Sequence, residues 1–283
     1  MRFPRPRCKR EINRSPFKGS SCSKGSTVEW GAAIENLKSK IKNGKRDSAL
    51  AKTVALSCRI LAKLGLFKET TGHVSARSRD RRTMMIRGRG RAESGLIYTR
   101  PNNIVLSDFE GAPLERRSGL KTPNEACIHG ELYKARPEIG GVVHAHPPTI
   151  VLTSMAGIEL RPIFGGYDPQ GMRLAVNGIP IYESSLTLHT VEQVHEMLKA
   201  MGDSDVCVLR GHGIVVVGAT LEEATVRAIK LDHLAQMNLQ AATLGQVPSI
   251  SQQDIDGFLG RRRAKGRSVE PLWRYYGEWE KRN

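Results

Sequence analysis

Val142-Val143-His144-Ala145-His146-Pro147-Pro148 is the stretch that decides how this chain is read. Side chains of an extended strand alternate between faces, so His144 and His146 stand side by side while Ala145 points away. A lone histidine on an apolar strand is ordinarily a hydrogen-bonded core residue. Two titratable rings facing the same way in such a strand are costly without a shared partner, and the pair therefore reads as a set of metal ligands. A third histidine comes much later, in Leu209-Arg210-Gly211-His212-Gly213-Ile214, where glycines on both sides of His212 clear space for something to approach it. Three neutral imidazoles with an open fourth position make a catalytic metal site.

Upstream of the pair, Pro123 to Pro137 reads as a helix broken by Pro137. Glu125 falls in its first turn, where a carboxylate is favoured by the helix dipole whether or not it has another task. His129 follows at i+4 on the same face, and Glu131 points elsewhere.

Glu125, the His144-Ala-His146 pair and the Arg-Gly-His212-Gly segment, in this order and at these separations, resemble the class II aldolase/adducin family from about Asp47 to about Leu244. The resemblance implies one α/β domain with a mostly antiparallel central sheet and helices on both faces. It implies a divalent ion on His144, His146 and His212, zinc first, with manganese, cobalt or iron as alternatives. Glu125 is then the acid/base, and a homotetramer with active sites at subunit boundaries is the implied assembly. A divalent cation on neutral imidazoles polarises a substrate oxygen and lets the adjacent carbon give up a bonding pair, which is carbon–carbon lyase chemistry. If an aldehyde departs the enzyme is an aldolase; if carbon dioxide departs it is a decarboxylase. A third reading is a non-enzymatic scaffold of the adducin kind, but those heads lack the metal-binding pattern present here.

The other end of the substrate separates the two lyases. In the family's sugar-phosphate aldolases two serines precede the catalytic glutamate and hold the phosphate, helped by an early Gly-Asn segment. Here Pro123-Asn124 precedes Glu125, and the early segment is Thr70-Thr71-Gly72-His73-Val74-Ser75, with histidine in place of asparagine. Thr71, Gly72 and Asn124 are accordingly expected to contact a substrate that is not a sugar phosphate, with His73 as a supporting donor or substrate contact. Arginines abound instead, in Arg77-Ser78-Arg79-Asp80-Arg81-Arg82 and Ile86-Arg87-Gly88-Arg89-Gly90-Arg91. Most read as a solvated turn; Arg87 and Arg89 are the ones placed to clamp a carboxylate through bidentate hydrogen bonds. These features together look most like the branch that decarboxylates aromatic hydroxy-acids and ring-cleavage products, of dihydroxyphthalate or hydroxymuconate-semialdehyde type, in aromatic-compound breakdown. Tyr167, in Phe164-Gly165-Gly166-Tyr167-Asp168, is read either as a proton relay on a glycine-rich loop over the site or as a packed aromatic.

Three segments divide the chain: a basic leader over 1–26, expected to be disordered; a catalytic domain over 27–247; and a tail over 248–283. Within the domain, Thr190 reads as the N-cap of a helix from Val191 to Met201. Thr220 and Glu223 open another from Leu221 to Leu244. Asn177-Gly178, between Arg173-Leu-Ala-Val and Ile179-Pro-Ile-Tyr182, is a hairpin-turn signal. In the tail, a short helix from Gln252 to Leu259 is followed by a basic linker and by Trp273, Tyr275, Tyr276 and Trp279. Four aromatics so close together require burial, either on a neighbouring subunit, where they would roof its active site, or on their own domain.

The net charge of +16 invites a nucleic-acid reading. Much of the excess lies in the leader and in Arg261 to Arg267, and neither zinc-finger spacing nor an aromatic-basic stacking signature is present, so the expected partner is a small-molecule carboxylate and not nucleic acid. No stretch reaches the length needed to span a bilayer. Five scattered cysteines without a Cys-X-X-Cys pair fit reduced thiols in a cytoplasmic protein.

Overall fold

The computed structural model describes residues 48–91, 93–115, 119–245, 247–264 and 269–282, the side chains of 261–264 excepted. The basic leader and part of the arginine-rich linker lie outside the described residues. The helices, in chain order, are α1 (Ser48–Lys63), α2 (Ala126–Ala135), α3 (Pro148–Met155), α4 (Pro169–Leu174), α5 (Val191–Met201), α6 (Leu221–Leu244), α7 (Gln252–Ala264) and α8 (Glu270–Arg282). The strands are β1 (His73–Arg77), β2 (Met84–Arg87), β3 (Ile104–Ser107), β4 (Gly141–Ala145), β5 (Ile181–Tyr182), β6 (Val206–Leu209) and β7 (Gly213–Gly218).

The strand that carries His144, β4, lies at the middle of a seven-stranded sheet of order β3-β2-β1-β4-β7-β6-β5. Each neighbouring pair is antiparallel except β5 and β6, which run parallel. The mostly antiparallel α/β sheet expected from the sequence is therefore the one observed. Alternation along β4 sends Val143 and Ala145 into one apolar core, shared with Ile214 and Val216 of β7 and with residues of α1 and α6. Val142 enters the opposite core with Val215 and Val217 and with residues of α2 and α5. Both faces of the sheet are thus covered, which is why β4, β6 and β7 read as nearly continuous apolar runs. His144 shares the second face with Val142, so an imidazole is inserted where an aliphatic side chain would otherwise pack.

Local chemistry sets the ends of the helices. A capping box opens α5: Thr190 Oγ1 accepts from Gln193 N–H (3.3 Å), and Gln193 Oε1 accepts from Thr190 N–H (3.1 Å). Helix α6 departs slightly from that pattern. Thr220 Oγ1 accepts from Glu223 N–H (3.2 Å), whereas Glu223 Oε2 reaches one residue further back to Ala219 N–H (2.9 Å).

The hairpin expected around Asn177-Gly178 does not form. Asp168 caps α4 by accepting from Gly171 N–H (3.2 Å), so Arg173 and Leu174 are helical, and the strand that follows the turn pairs with β6 instead. Gly178 still closes a turn onto the Ala175 carbonyl (3.1 Å). The helix expected from Gln252 to Leu259 runs on to Ala264. In the tail, α8 packs on α1 and α6 of its own chain: Tyr276 is buried, and Glu280 pairs with Arg59 (2.9 Å) and Lys63 (3.0 Å). No helix among the described residues is long and apolar enough to cross a membrane.

One buried acid lies apart from these pairs. Asp232 on α6 is 5% exposed, and burial pushes its carboxyl up from 3.8 to about 6 despite a hydrogen bond from Gln236 Nε2 (2.7 Å). An acid whose pKa is higher folded than unfolded stabilises the fold at low pH, and that contribution is lost as the pH rises through the folded value. Asp232→Asn is therefore expected to gain on the order of 2 kcal/mol over the wild type at neutral pH, the gain vanishing near pH 4. Denaturant melts at the two pH values check this, and an equal gain at both would refute it.

Candidate functional site

The three histidines read from the sequence converge. Cross-strand register sets His73 of β1 directly opposite His144 of β4, and both point into the side of the sheet covered by α2. His146 follows the last residue of β4, and its backbone N–H donates to the Leu66 carbonyl (3.0 Å). His212 ends the tight turn between β6 and β7, which its N–H closes onto the Leu209 carbonyl (3.0 Å). The glycine after it is required by contact. A Cβ on Gly213 would lie 2.2 Å from the Ala145 carbonyl oxygen and 2.7 Å from the His146 ring, so only glycine lets the β7 backbone come this close to the His-X-His strand.

Glu125 completes the group. It occupies the N-cap position of α2, yet its side chain caps nothing there. Oε1 instead accepts the Leu188 N–H (2.8 Å) from the segment before α5. Oε2 lies 3.5 Å from His144 Nε2, and Oε1 lies 3.8 Å from His212 Nε2. One ligand atom from each of Glu125, His144, His146 and His212 falls within 4.8 Å of the other three.

Electrostatics suit a cation at the centre. Burial, then the neighbouring His144 and His212, push the His146 imidazole down to about 3, against the pull of Glu125. Burial and His144 likewise lower His212. Burial on its own would raise the Glu125 carboxyl, but hydrogen bonding and charge from His144, the Leu188 N–H and His212 outweigh it and hold the group at about 2. Unprotonated imidazoles at His146 and His212 beside an ionised carboxylate are states that suit metal ligation. The donor set fits as well. His144 Nδ1 donates to the Ile214 carbonyl (3.0 Å), which fixes its tautomer and turns the Nε2 lone pair inward, 3.0 Å from His146 Nε2. Three nitrogens and one carboxylate oxygen thus share one small volume.

A second layer of polar groups lies behind the cluster. His73 is buried, with Nε2 at 3.9 Å from Glu125 Oε2 and Nδ1 at 2.7 Å from His129 Nε2. His129 Nδ1 meets Ser75 Oγ (2.7 Å), which also meets the Tyr133 hydroxyl (2.8 Å). Burial, followed by the field of neighbouring histidines and Arg89, drives His73 well below its ordinary range; burial drives His129 to about 3. Of this layer, the sequence offered His73 as a supporting donor or substrate contact and His129 on the face of Glu125. Ser75 carried a readable signal too, lying two residues beyond His73 on the same strand face, while the Leu188 backbone donor had none.

The remaining expected site residues are distributed unevenly. Arg87 does not reach the cluster: it points to the α1 side of the sheet, lies within the field of Cys58, is 3% exposed and pairs with Glu93. Its guanidinium is thereby held inside the fold, away from the cluster. Arg89 is the more open of the two, touching Glu93 (3.4 Å) and Thr70 Oγ1 (3.4 Å), with its charge felt by His73. The Thr71 hydroxyl donates to the Lys68 carbonyl (2.6 Å), Gly72 is buried beneath Phe67, and Asn124 is exposed beside Glu125. Tyr167 is at the surface, 77% exposed and edge-on to Phe164, so it is not a packed core aromatic.

The geometry has parallels among known proteins. The family model described as the Class II Aldolase and Adducin N-terminal domain matches residues 52–239. The chain is 41% identical over 195 residues to 3,4-dihydroxyphthalate decarboxylase of Arthrobacter keyseri, covering 68% of this chain and 78% of that one. It is 28% identical to 5-methylthioribulose-1-phosphate/5-deoxyribulose-1-phosphate aldolase of Rhodospirillum rubrum, covering 76% and 91% respectively. Among solved structures, an aldolase II superfamily protein from Pseudomonas syringae superposes with a TM-score of 0.74 at 18% identity, over 86% of this chain and 96% of that one, which is a likeness of fold. A sheet of this order bearing a His-X-His strand, a Gly-His-Gly turn and a helix-initiating glutamate, together with a match over most of its length, makes this chain a member of the class II aldolase and adducin N-terminal domain family.

Proposed function

We propose that this protein is a metal-dependent carboxy-lyase acting on an aromatic dihydroxy acid of the 3,4-dihydroxyphthalate kind. The observation that carries the reading is the buried carboxylate of Glu125 set against the imidazoles of His144, His146 and His212. The choice of decarboxylase over aldolase is supported by the 41% identity to 3,4-dihydroxyphthalate decarboxylase against 28% to the aldolase, and by Pro123-Asn124 standing where a phosphate would need two serines.

His144, His146 and His212 would hold one divalent ion, zinc first among the candidates and manganese, cobalt or iron after it, supplying a Lewis-acidic centre for the substrate's carboxylate and adjacent oxygen. Glu125 moves the proton. Its Oε1 is anchored by the Leu188 N–H, and its ionised Oε2 is the group that accepts the proton of the ortho hydroxyl and returns it to the ring carbon bearing the carboxylate. The bond from that carbon to the carboxylate then breaks, its electron pair restores the aromatic ring, carbon dioxide leaves, and the product phenolate takes a proton from water. Arg89 holds the far carboxylate, the one that stays, since it is the more open of the two arginines and Arg87 is buried on the α1 side of the sheet. Gly72 and Asn124 directly precede His73 and Glu125, Thr71 comes one residue earlier, and the three shape the rest of the substrate's surroundings. A homotetramer is the assembly proposed for the working enzyme, by its resemblance to the family, with the exposed Tyr167 as a residue available to a neighbouring subunit.

Three outcomes follow. His212→Ala should leave metal content far below one ion per chain by elemental analysis, with a cooperative melt retained; full metal occupancy would remove the histidine from the site. Glu125→Gln should keep its metal and lose roughly 10²–10⁴-fold in turnover. The assay is carbon dioxide release from 3,4-dihydroxyphthalate, set against aldehyde release from sugar phosphates, and aldehyde without carbon dioxide would assign the alternative lyase. Arg89→Ala should raise KM for the diacid by about tenfold with a smaller effect on kcat, as loss of a charge-assisted contact made throughout the reaction predicts; an unchanged KM would place the distal carboxylate elsewhere.

A further inference from the structure

The chain of polar side chains behind Glu125 runs without a break from the core to the site. Tyr133, Ser75, His129 and His73 are all nearly or fully sealed from solvent, at 1%, 0%, 0% and 3% exposure. The links are 2.8, 2.7 and 2.7 Å in that order. Each contact holds one hydrogen, and each buried hydroxyl hydrogen needs an acceptor, which together restrict the direction of donation along the chain.

We propose that Tyr133, Ser75 and His129 form a one-way hydrogen-bond chain that fixes His73 in its Nε2–H tautomer, making His73 a neutral N–H donor to an anionic oxygen of the substrate beside Glu125. The identity of the substrate oxygen rests on the carboxy-lyase reading above; the tautomer does not.

The direction follows from the closed end. The only hydrogen-bond partner of the Tyr133 hydroxyl among the described residues is Ser75 Oγ. A buried phenol hydrogen left without an acceptor is costly, so Tyr133 donates. Ser75 Oγ has no side-chain partner among the described residues besides Tyr133 and His129, so its own hydrogen goes to His129 Nδ1; accepting from both would leave that hydrogen unpaired in the core. His129 then carries its hydrogen on Nε2 and donates it to His73 Nδ1, so the His73 hydrogen stays on Nε2. The reverse order would make the phenol an acceptor and leave its hydrogen unpaired in the core. Tyr133 cannot turn away, because Arg77 covers its ring (4.7 Å to the centroid) and donates to its backbone carbonyl (2.6 Å).

At the open end, His73 Nε2 is 3.9 Å from Glu125 Oε2, beyond hydrogen-bond length. The N–H therefore faces the carboxylate's surroundings without being consumed by it, and an ionised carboxylate or phenolate oxygen of the substrate lying to one side of that line, about 3 Å from Nε2, would accept it. His73 contacts the substrate in this scheme; His129, Ser75 and Tyr133 are positioning residues that act through it.

The test is a nitrogen NMR spectrum of zinc-loaded protein carrying ¹⁵N-labelled histidine, with the His73 signals assigned by their loss in His73→Asn. The expected spectrum has a pyrrole-type Nε2 and a pyridine-type Nδ1 for both His73 and His129. A pyrrole-type Nδ1 on His73 overturns the proposal. Tyr133→Phe keeps the ring under Arg77 but removes the phenol hydrogen, so both imidazoles should become tautomeric mixtures. KM for 3,4-dihydroxyphthalate should then rise about three- to tenfold, more than kcat falls. Unchanged tautomers in Tyr133→Phe also overturn it, and should that variant not fold, the wild-type spectrum decides alone. Inactivity toward every dihydroxy acid with the expected spectrum intact would fault the functional reading and leave the chain standing.

Discussion

An ionised carboxylate in the interior of a small domain has to be compensated on every side, and Glu125 is the group around which this fold is arranged. Its compensation comes from three directions: a backbone N–H of Leu188 before α5, imidazoles of the central strands, and the turn that carries His212. None of these lies near Glu125 in the chain. The sheet register that sets His73 opposite His144, the close approach of β7 to β4 at Gly213 and the docking of α2 must all be correct before the carboxylate is tolerated. Desolvation raises the cost of any error, since each unpaired polar group here has no water to fall back on.

The division of the sheet into two faces explains how so polar a site coexists with a dense core. One face of β1 and β4 is aliphatic throughout and packs on α1 and α6. The other gives up His73, Ser75 and His144 to polar chemistry, while Val142, Val215 and Val217 continue the apolar packing around them. Function occupies the end of the sheet where β4 gives way to His146, and the remainder of the same face is scaffold.

Part of the large positive charge is paired with acids within the fold. Arg59 and Lys63 hold Glu280, Arg87 holds Glu93, Arg210 holds Glu183 and Lys230 holds Asp168. Arginine count is therefore a poor guide to anion binding in this protein; what distinguishes Arg89 is its openness and its nearness to His73.

By itself the sequence offered three histidines as ligands and the starts of two helices, because two-residue alternation puts His144 with His146, glycines flank His212, and Thr190 and Thr220 announce their helices; the acid/base candidate and the mostly antiparallel sheet came from resemblance to the family. It misled where local signals had competing tertiary partners. Arg87 looked equivalent to Arg89, but it ends β2 buried and paired with Glu93 while Arg89 is more open; Asn177-Gly178 looked like a hairpin, but the Asp168 cap makes the preceding residues helical. The polar chain from Tyr133 to His73 was decided by tertiary structure alone. Its members come from β1 and α2, roughly half a hundred residues apart, and no pattern of spacing specifies which buried hydroxyl will meet which ring until the helix is packed on the sheet.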